Sequence, residues 1–337
     1  MTPTSEQQWD EFVLNHPDAT FFHRSAWREV ASQVFGHRAH YLTERRDDGS
    51  LAAILPMVEI RSRLFGHALI SNAFCVGGGP LATDADSFAA ILDQAETLGR
   101  KLGVDYVELR DLPVAPGNWC ARGDLYAGFA APIAAAEEDN FGQLPKRQRA
   151  LLRRVFARGM TSRIETSPQV FYDLYSRTMR NHGTPALPPR FFERLYSVFG
   201  SDCDILTVSS GGRPVSSVLS YYFRGRVLPY YTGSLPEART LGANDLMLWA
   251  LMRHAVERGC TTFDFGRSKV GTGPYEFKRH WGFEPRPITH QYRLLKAKVL
   301  PNVNPTNPRY AALIGVWRRL PLPVANAISP ILSRSLA

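Results

Sequence analysis

Apolar residues recur along this chain in two periods, and the alternation of those periods predicts its elements. In the first half, helical spacing over residues 7–15 and 24–35 predicts two helices, and period-two patterning over 39–43, 52–60 and 68–74 predicts three strands. A longer helix over 84–102, stopped by Gly103, then leads to a strand over 106–109. The second half repeats the order, with helices over 168–181 and 189–199, strands over 203–209, 214–223 and 226–232, a helix over 244–258 stopped by Gly259, and a strand over 261–265. Both halves read ααβββαβ. Three strands joined as hairpins, followed by a helical crossover, make a sheet that is antiparallel at first and parallel where the helix returns. The expected fold class is therefore α/β (α+β) with a mixed sheet, built as two such units.

A basic stretch over 144–159, with apolar Leu151, Leu152, Val155 and Phe156 at helical spacing, predicts a helix joining the units. The resulting partition is an N-terminal domain over 1–140, a connecting helix over 141–165, a C-terminal domain over 166–300 and a tail over 301–337.

Composition excludes several classes. At 337 residues the chain suits two domains, and 44% hydrophobic with 21% charged residues is the balance of a folded globular protein. No apolar run approaches the roughly 20 residues that span a bilayer, and MTPTSEQQWDEF lacks the regions of a signal peptide, so a cytoplasmic location is expected. Cys75, Cys120, Cys203 and Cys260 are far apart and form no ligand spacing, which predicts buried thiols and no metal site. The net charge of +9 is concentrated: 140–164 holds seven basic residues and no acid, and 285–337 holds eight and no acid. Such stretches suit phosphates, nucleic acid or anionic headgroups.

Two segments carry candidate chemistry. After the strand over 226–232, Gly242 and Ala243 precede a helix beginning near Asn244, with Arg239 close by; uncovered first-turn amides there would suit an anion. An ordinary loop with Asn244 as N-cap is the alternative. The second segment, CTTFDFGRSKVGTGPYEFKRHWGF, places Asp264 between Phe263 and Phe265, hence on the opposite sheet face from both aromatics. A catalytic carboxylate and a structural pair with Arg267 or Lys269 both fit that position.

FDFGRS followed by GTGPYEFKRHWGFEP resembles the C-terminal signature of FemAB-related proteins. RNHGTP (180–185), PKRQRALLRRVFARG and NAFCVGGGPLA are similar to three further segments of that family, in the same order, so the likeness runs from about residue 18 to 322. It is nearest to the bacterial group associated with exopolysaccharide and exosortase genes. The resemblance implies tandem GNAT-like domains and transfer of an acyl or aminoacyl group to an amine. It also implies two classes of donor: acyl-CoA, as in GNAT relatives that include bacterial ceramide-forming N-acyltransferases, or aminoacyl-tRNA, as in FemABX enzymes that extend peptidoglycan precursors. Lys278 matches a FemX lysine at the catalytic centre.

In this scheme a neutral amine attacks a thioester or ester carbonyl. Asp264 or His182 orients or deprotonates the amine, Lys278 stabilises negative charge and Tyr231 serves the leaving group. Arg239, Gly242, Ala243 and Asn244 hold the donor, and Arg180 and Tyr275 the acceptor. His182 has a second reading, as a helix-end histidine serving the dipole.

The tail after residue 307 mixes Leu313, Ile314, Val316, Trp317 and Leu320 with Arg318 and Arg319, then runs apolar to Arg334. Two interfacial helices broken by Pro321 and Pro323 are expected, lying on the inner membrane surface, or else a brace packed on the domains. The leading function is acyl-CoA-dependent N-acylation of an amphipathic amine, a sphingoid base being the most specific candidate, with no bound cofactor. A FemX-like transferase using aminoacyl-tRNA on an envelope or exopolysaccharide precursor is the alternative, and a non-catalytic sugar-nucleotide module the third. No DNA-recognition motif appears.

Overall fold

The computed structural model describes residues 5–62, 66–115, 117–300 and 311–335. The chain divides into two compact units that are not linear halves. Unit 1 is Met1–Tyr126 with Pro287–Asn304 and Arg334–Ala337; unit 2 is Ala127–Arg286 with Pro305–Ser333. The basic helix expected as a connector thus belongs to unit 2, and the segment after Pro287 returns to unit 1.

Unit 1 contains α1 (Glu6–Asn15), a single turn α2 (Trp27–Glu29), β1 (Arg38–Arg45), β2 (Leu51–Ser62), β3 (Gly66–Ser71), the short β4 (Leu81–Ala82), α3 (Ala85–Leu102) and β5 (Tyr106–Leu109). The helix expected over 24–35 is a broken one, with α2 running into a five-residue π turn at Val30–Val34. Strands β1, β2 and β3 pair antiparallel, and α3 crosses over so that β5 lies parallel to β3. Capping fixes α3 at both ends: the Asp84 carboxylate accepts from Ser87 N, and Gly103 closes the helix at φ +67°. Its buried Ile91, Leu92 and Ala95 pack on Leu55, Met57, Leu69 and Val107.

β6 (Cys120–Pro132) passes from unit 1 into unit 2 at Ala127. Unit 2 continues with α4 (Glu137–Gln143), α5 (Lys146–Phe156), β7 (Thr161–Ile164), α6 (Gln169–His182), α7 (Pro189–Phe199), β8 (Cys203–Ser210), β9 (Arg213–Phe223), β10 (Arg226–Ser234), α8 (Glu237–Leu241), α9 (Ala243–Glu257), β11 (Thr262–Lys269) and α10 (Gly273–His280). β12 (Pro285–Leu294) leads back to unit 1, where it pairs antiparallel with β5. α11 (Ala311–Arg319) and α12 (Leu322–Ser333) complete unit 2. Strands β7 to β10 are antiparallel neighbours in chain order, and β11 joins β10 in parallel after α9.

Four strands were not expected from patterning: β4, β6, β7 and β12. β6 reads CARGDLYAGFAAP, too rich in Gly and Ala for an apolar alternation to stand out, and β12 opens with two prolines around Arg286. The strand expected to reach Phe74 stops at Ser71, because Asn72 and Phe74 take positive φ and turn the chain. The loop expected before α9 contains α8.

The tail packs on unit 2 through α6. A Cβ on Gly183 would lie 2.4 Å from Ile314 Cγ2, Ala186 N donates to Ser329 Oγ at 3.1 Å, and Trp317, Ala325 and Ser329 are buried. The break between its helices falls before Pro321, while Pro323 sits in the first turn of α12, where a missing N–H costs nothing. Leu313, Val316, Val324, Ile328 and Ile331 remain exposed on the other side.

Helix α6 crosses β10 backbone to backbone at Gly233. A Cβ there would lie 2.3 Å from Tyr175 N and 2.6 Å from Leu174 C, and Thr178 Oγ1 both donates to Ser234 O and accepts from Ser234 N. Backbone cannot yield as a side chain would. Gly233→Ala should therefore cost about 2 kcal/mol or more in urea denaturation; an unchanged midpoint would contradict this packing. A second prediction concerns pH. His254 Nε2 lies 2.9 Å from buried Asp204 Oδ2, and that hydrogen bond raises the imidazole pKa above 6.5. The pair's stabilisation is complete below pH 6.5 and lost as pH rises through the higher folded value, so wild-type stability should fall there by under about 1 kcal/mol. His254→Gln should flatten that part of the stability profile.

Candidate active site

Strands β10 and β11 stay together only briefly. Their parallel register links Arg226 with Thr262 and Val227 with Phe263 and continues no further among the described residues. Sequence explains the parting on both sides. In β10, Pro229 brings no N–H to a ladder, and the register with β9 skips a residue between Pro229 and Tyr231. In β11, Gly266 adopts φ +65°.

Lys278, on α10, fixes that turn. Its Nζ donates to the carbonyls of Phe265 (2.6 Å), Gly266 (3.1 Å) and Arg267 (2.9 Å). Successive carbonyls of an extended strand point to opposite sides, so three in a row reach one ammonium only because Gly266 is left-handed. The ammonium also lies 5.5 Å from the Phe129 ring centroid. Burial lowers its pKa from 10.5 to about 8, opposed by the Asp264 carboxylate and reinforced by Arg267. All three N–H groups of the charged form are thus spent on backbone, and Lys278 acts as a staple holding α10 to the end of β11.

Asp264 sits where the strands part. Its neighbours Phe263 and Phe265 are buried in the core with Trp281 and Phe283, whereas the carboxylate is half-exposed on the other face. Oδ2 pairs with Arg226 Nη1 at 3.1 Å, and Oδ1 accepts from Gly266 N at 2.8 Å. Arg226 of β10, set by strand register, is thus an ion-pair partner of Asp264 besides the Arg267 or Lys269 that the structural alternative named.

The remaining sequence candidates fall into three other places. Tyr275 packs edge-on against Phe129 at 5.3 Å, so it belongs beside Lys278. Tyr231 lies among aromatic rings of α6, α7 and β10, with Phe192 at 5.3 Å, Phe191 at 5.8 Å, Tyr175 at 6.1 Å and Tyr230 at 4.8 Å. Arg180 and His182 meet the tail: Arg180 Nη1 is 3.4 Å from Leu320 O, and Arg318 donates to His182 O. His182 is exposed, and its pKa is lowered by partial desolvation and by Arg318.

The fourth place is the corner between α8 and α9. Gly242, at φ +70°, stands as N-cap of α9 with no side-chain cap, while Asn244 Oδ1 accepts from Ser216 Oγ at 2.7 Å instead of capping. Gly242 and Ala243 are buried, Arg239 is exposed, and a Cβ on Gly242 would lie 2.5 Å from Val155 Cγ2. The glycine is therefore required by packing of α5 as well as by its own φ. Asp245, the third residue from the cap, was missed from sequence. Its buried carboxylate accepts from Gln148 Nε2 (2.7 Å) and Trp281 Nε1 (3.2 Å), and burial raises its pKa.

Unit 1 offers the same strand–helix–strand arrangement, already filled. β3 and β5 pair in parallel through Ile70 and Glu108, and the following Arg110 is buried. It donates to Glu108 (2.9 Å) and to Cys75 O (2.7 Å), and Gly79 approaches so closely that a Cβ would lie 2.7 Å from Arg110 O. NAFCVGGGPLA is thus the segment that closes this place, and the Asp84 carboxylate caps α3 by accepting from Ser87 N. Two open surface cavities of about 680 and 670 Å³ lie elsewhere in unit 1, away from these strand ends. No group of three or more His, Cys, Asp or Glu among the described residues could hold a metal ion.

Comparison with known proteins agrees with this geometry. Residues 144–279, which run from α5 through α10, match the acetyltransferase (GNAT) domain. No curated protein matches the chain. Among solved structures, FemX is similar at 16% identity and a TM-score of 0.70, covering 93% of this chain and 99% of its own. The C-terminal domain (DUF2156) of a protein described as a lysylphosphatidylglycerol synthetase from Agrobacterium fabrum is similar at 15% identity and a TM-score of 0.56, covering 85% and 91%. A tandem GNAT protein from the clavulanic acid biosynthesis pathway is similar at 14% identity and a TM-score of 0.54, covering 86% and 94%. The chain thus carries an acetyltransferase (GNAT) domain over residues 144–279, inside a fold that it shares with FemX and with a tandem GNAT protein.

Proposed function

We propose that the chain transfers an acyl group from an acyl-CoA thioester to the amine of an amphipathic acceptor, with the donor lying where β10 and β11 part. The observation that carries this reading is the parting itself: parallel pairing ends at Val227 and Phe263, and the uncapped α9 begins nearby in sequence, whereas the equivalent place in unit 1 is filled by Arg110 and the 72–79 segment. In the reaction the amine nitrogen attacks the thioester carbonyl, the C–N bond forms and the C–S bond breaks. The proton lost by nitrogen ends on the departing thiolate, giving an amide and CoA thiol. Asp264, at the mouth of the parting, orients the attacking amine and receives its proton in transit. Tyr231, whose backbone lies on β10 beyond the last residue paired with β11, serves the leaving sulfur. Lys278 is a positioning residue, because its ammonium is committed to holding the 265–267 backbone.

Acceptor choice rests on the tail. Its outer side exposes Leu313, Val316, Val324, Ile328 and Ile331 beside Arg318 and Arg319 with no acid, a combination suited to an anionic membrane surface carrying a long-chain amine such as a sphingoid base. No helix among the described residues is long and apolar enough to cross a membrane, so the association would be peripheral. A second reading, aminoacyl transfer from tRNA to an envelope precursor, is favoured by the coverage of the FemX likeness.

Thiol release from acyl-CoAs of graded length, followed beside turnover of aminoacyl-tRNA, separates the readings. Release should require an amine, and should be faster when a long-chain amine is presented in anionic vesicles than in neutral micelles. Arg318→Glu with Arg319→Glu should remove that advantage. Turnover with charged tRNA alone would replace the leading reading by the second, and no turnover with either donor would leave only a binding module.

A further inference from the structure

Residues 145–160 hold six cationic side chains and no carboxylate, and α5 turns them to one side. Gln148, Leu152 and Val155 are its buried residues. At roughly 100° per residue, Lys146, Arg147, Arg149, Arg153 and Arg154 fall in the half of the helix opposite them. Arg147 and Arg154, seven apart, form a stripe along one edge of the helix, and Arg158, just past its C-cap Ala157, continues the line at a spacing of four.

The stripe ends at the α8–α9 corner. Arg158 Nη1 donates to Thr240 O at 2.7 Å, Val155 packs against Gly242, and Gln148 is hydrogen-bonded to Asp245, so α5 is pinned along the first turn of α9. Arg239 stands exposed at the same corner. Arg147 and Arg154 make no hydrogen bond or ion pair among the described residues. Like charges so close repel one another, and a ligand bearing several phosphates would relieve that repulsion. Phe156, 43% exposed, lies off the stripe towards Arg149 and Arg153, so the stripe has no apolar wedge of the kind a membrane patch uses.

We infer that Arg147, Arg154 and Arg158, with Arg239, bind the phosphates of the donor's nucleotide, and that they read the 3′-phosphate of CoA. The inference rests on the acyl-CoA reading above and adds to it a set of residues on α5, outside the strands that would hold the acyl thioester. It makes donor recognition depend on a ligand feature that takes no part in the chemistry.

Titration calorimetry of the full chain with CoA and with 3′-dephospho-CoA tests it. Wild-type protein should prefer CoA on the order of tenfold, as one charge-assisted contact implies, and the preference should shrink with added salt. Arg147→Gln with Arg154→Gln should bring the two ligands to near parity, while Arg147→Lys with Arg154→Lys should keep most of the difference. Equal affinity of the wild type for both ligands, or an unchanged preference in the glutamine variant, would overturn the inference alone. No binding of CoA at all would overturn the donor reading and the inference with it.

Discussion

Three consecutive backbone carbonyls of β11 converge on the Lys278 ammonium, and that convergence separates a continuous sheet from one that opens. An extended strand cannot present three neighbouring carbonyls to one atom, so the chain must leave the strand conformation at Gly266, where φ is +65°. Breaking the staple would remove three charge-assisted hydrogen bonds from the turn, which keeps it in place. Pro229 and the skipped register do the corresponding work on β10. The strand segments beyond the last paired residues therefore leave the ladder at positions set by identifiable bonds.

Comparison within the chain sharpens this. Both units run antiparallel strands, three in unit 1 and four in unit 2, then a crossover helix and a parallel return strand, yet they end differently. In unit 1 the parallel strands are followed by Arg110, tied to Glu108 and Cys75, and by glycines that let the 72–79 segment close over it. Helix α3 is capped by Asp84, which accepts from Ser87 N, while α9 starts from Gly242 with no side-chain cap. One repeat has spent its strand ends on its own stability. Under the proposed function, the other keeps them for the donor.

Much of this was legible in the residues. Helical and strand periods located α3, α6, α7, α9 and the eight strands β1–β3, β5 and β8–β11, and the alternation around Asp264 put its carboxylate opposite the two phenylalanines. Lys278 was singled out, but its bonding was not legible: contact with three carbonyls depends on a left-handed glycine twelve residues earlier. Arg226 as partner of Asp264 follows from parallel register, which a single strand's pattern does not encode. The burial of Asp245 with Gln148 and Trp281 joins three distant segments, and no local signal marks it. β6 and β12 escaped because Gly, Ala and Pro blunt the alternation that reveals a strand.

The central claim is that the donor lies between β10 and β11 of unit 2. Hydrogen–deuterium exchange of the full chain with and without saturating CoA measures this directly, peptide by peptide. The account predicts slowed exchange over 228–234 and 264–269, together with the first turn of α9, and no change over 68–82 or 106–112 of unit 1. Protection confined to unit 1, with the two unit 2 strands unaffected, would contradict it.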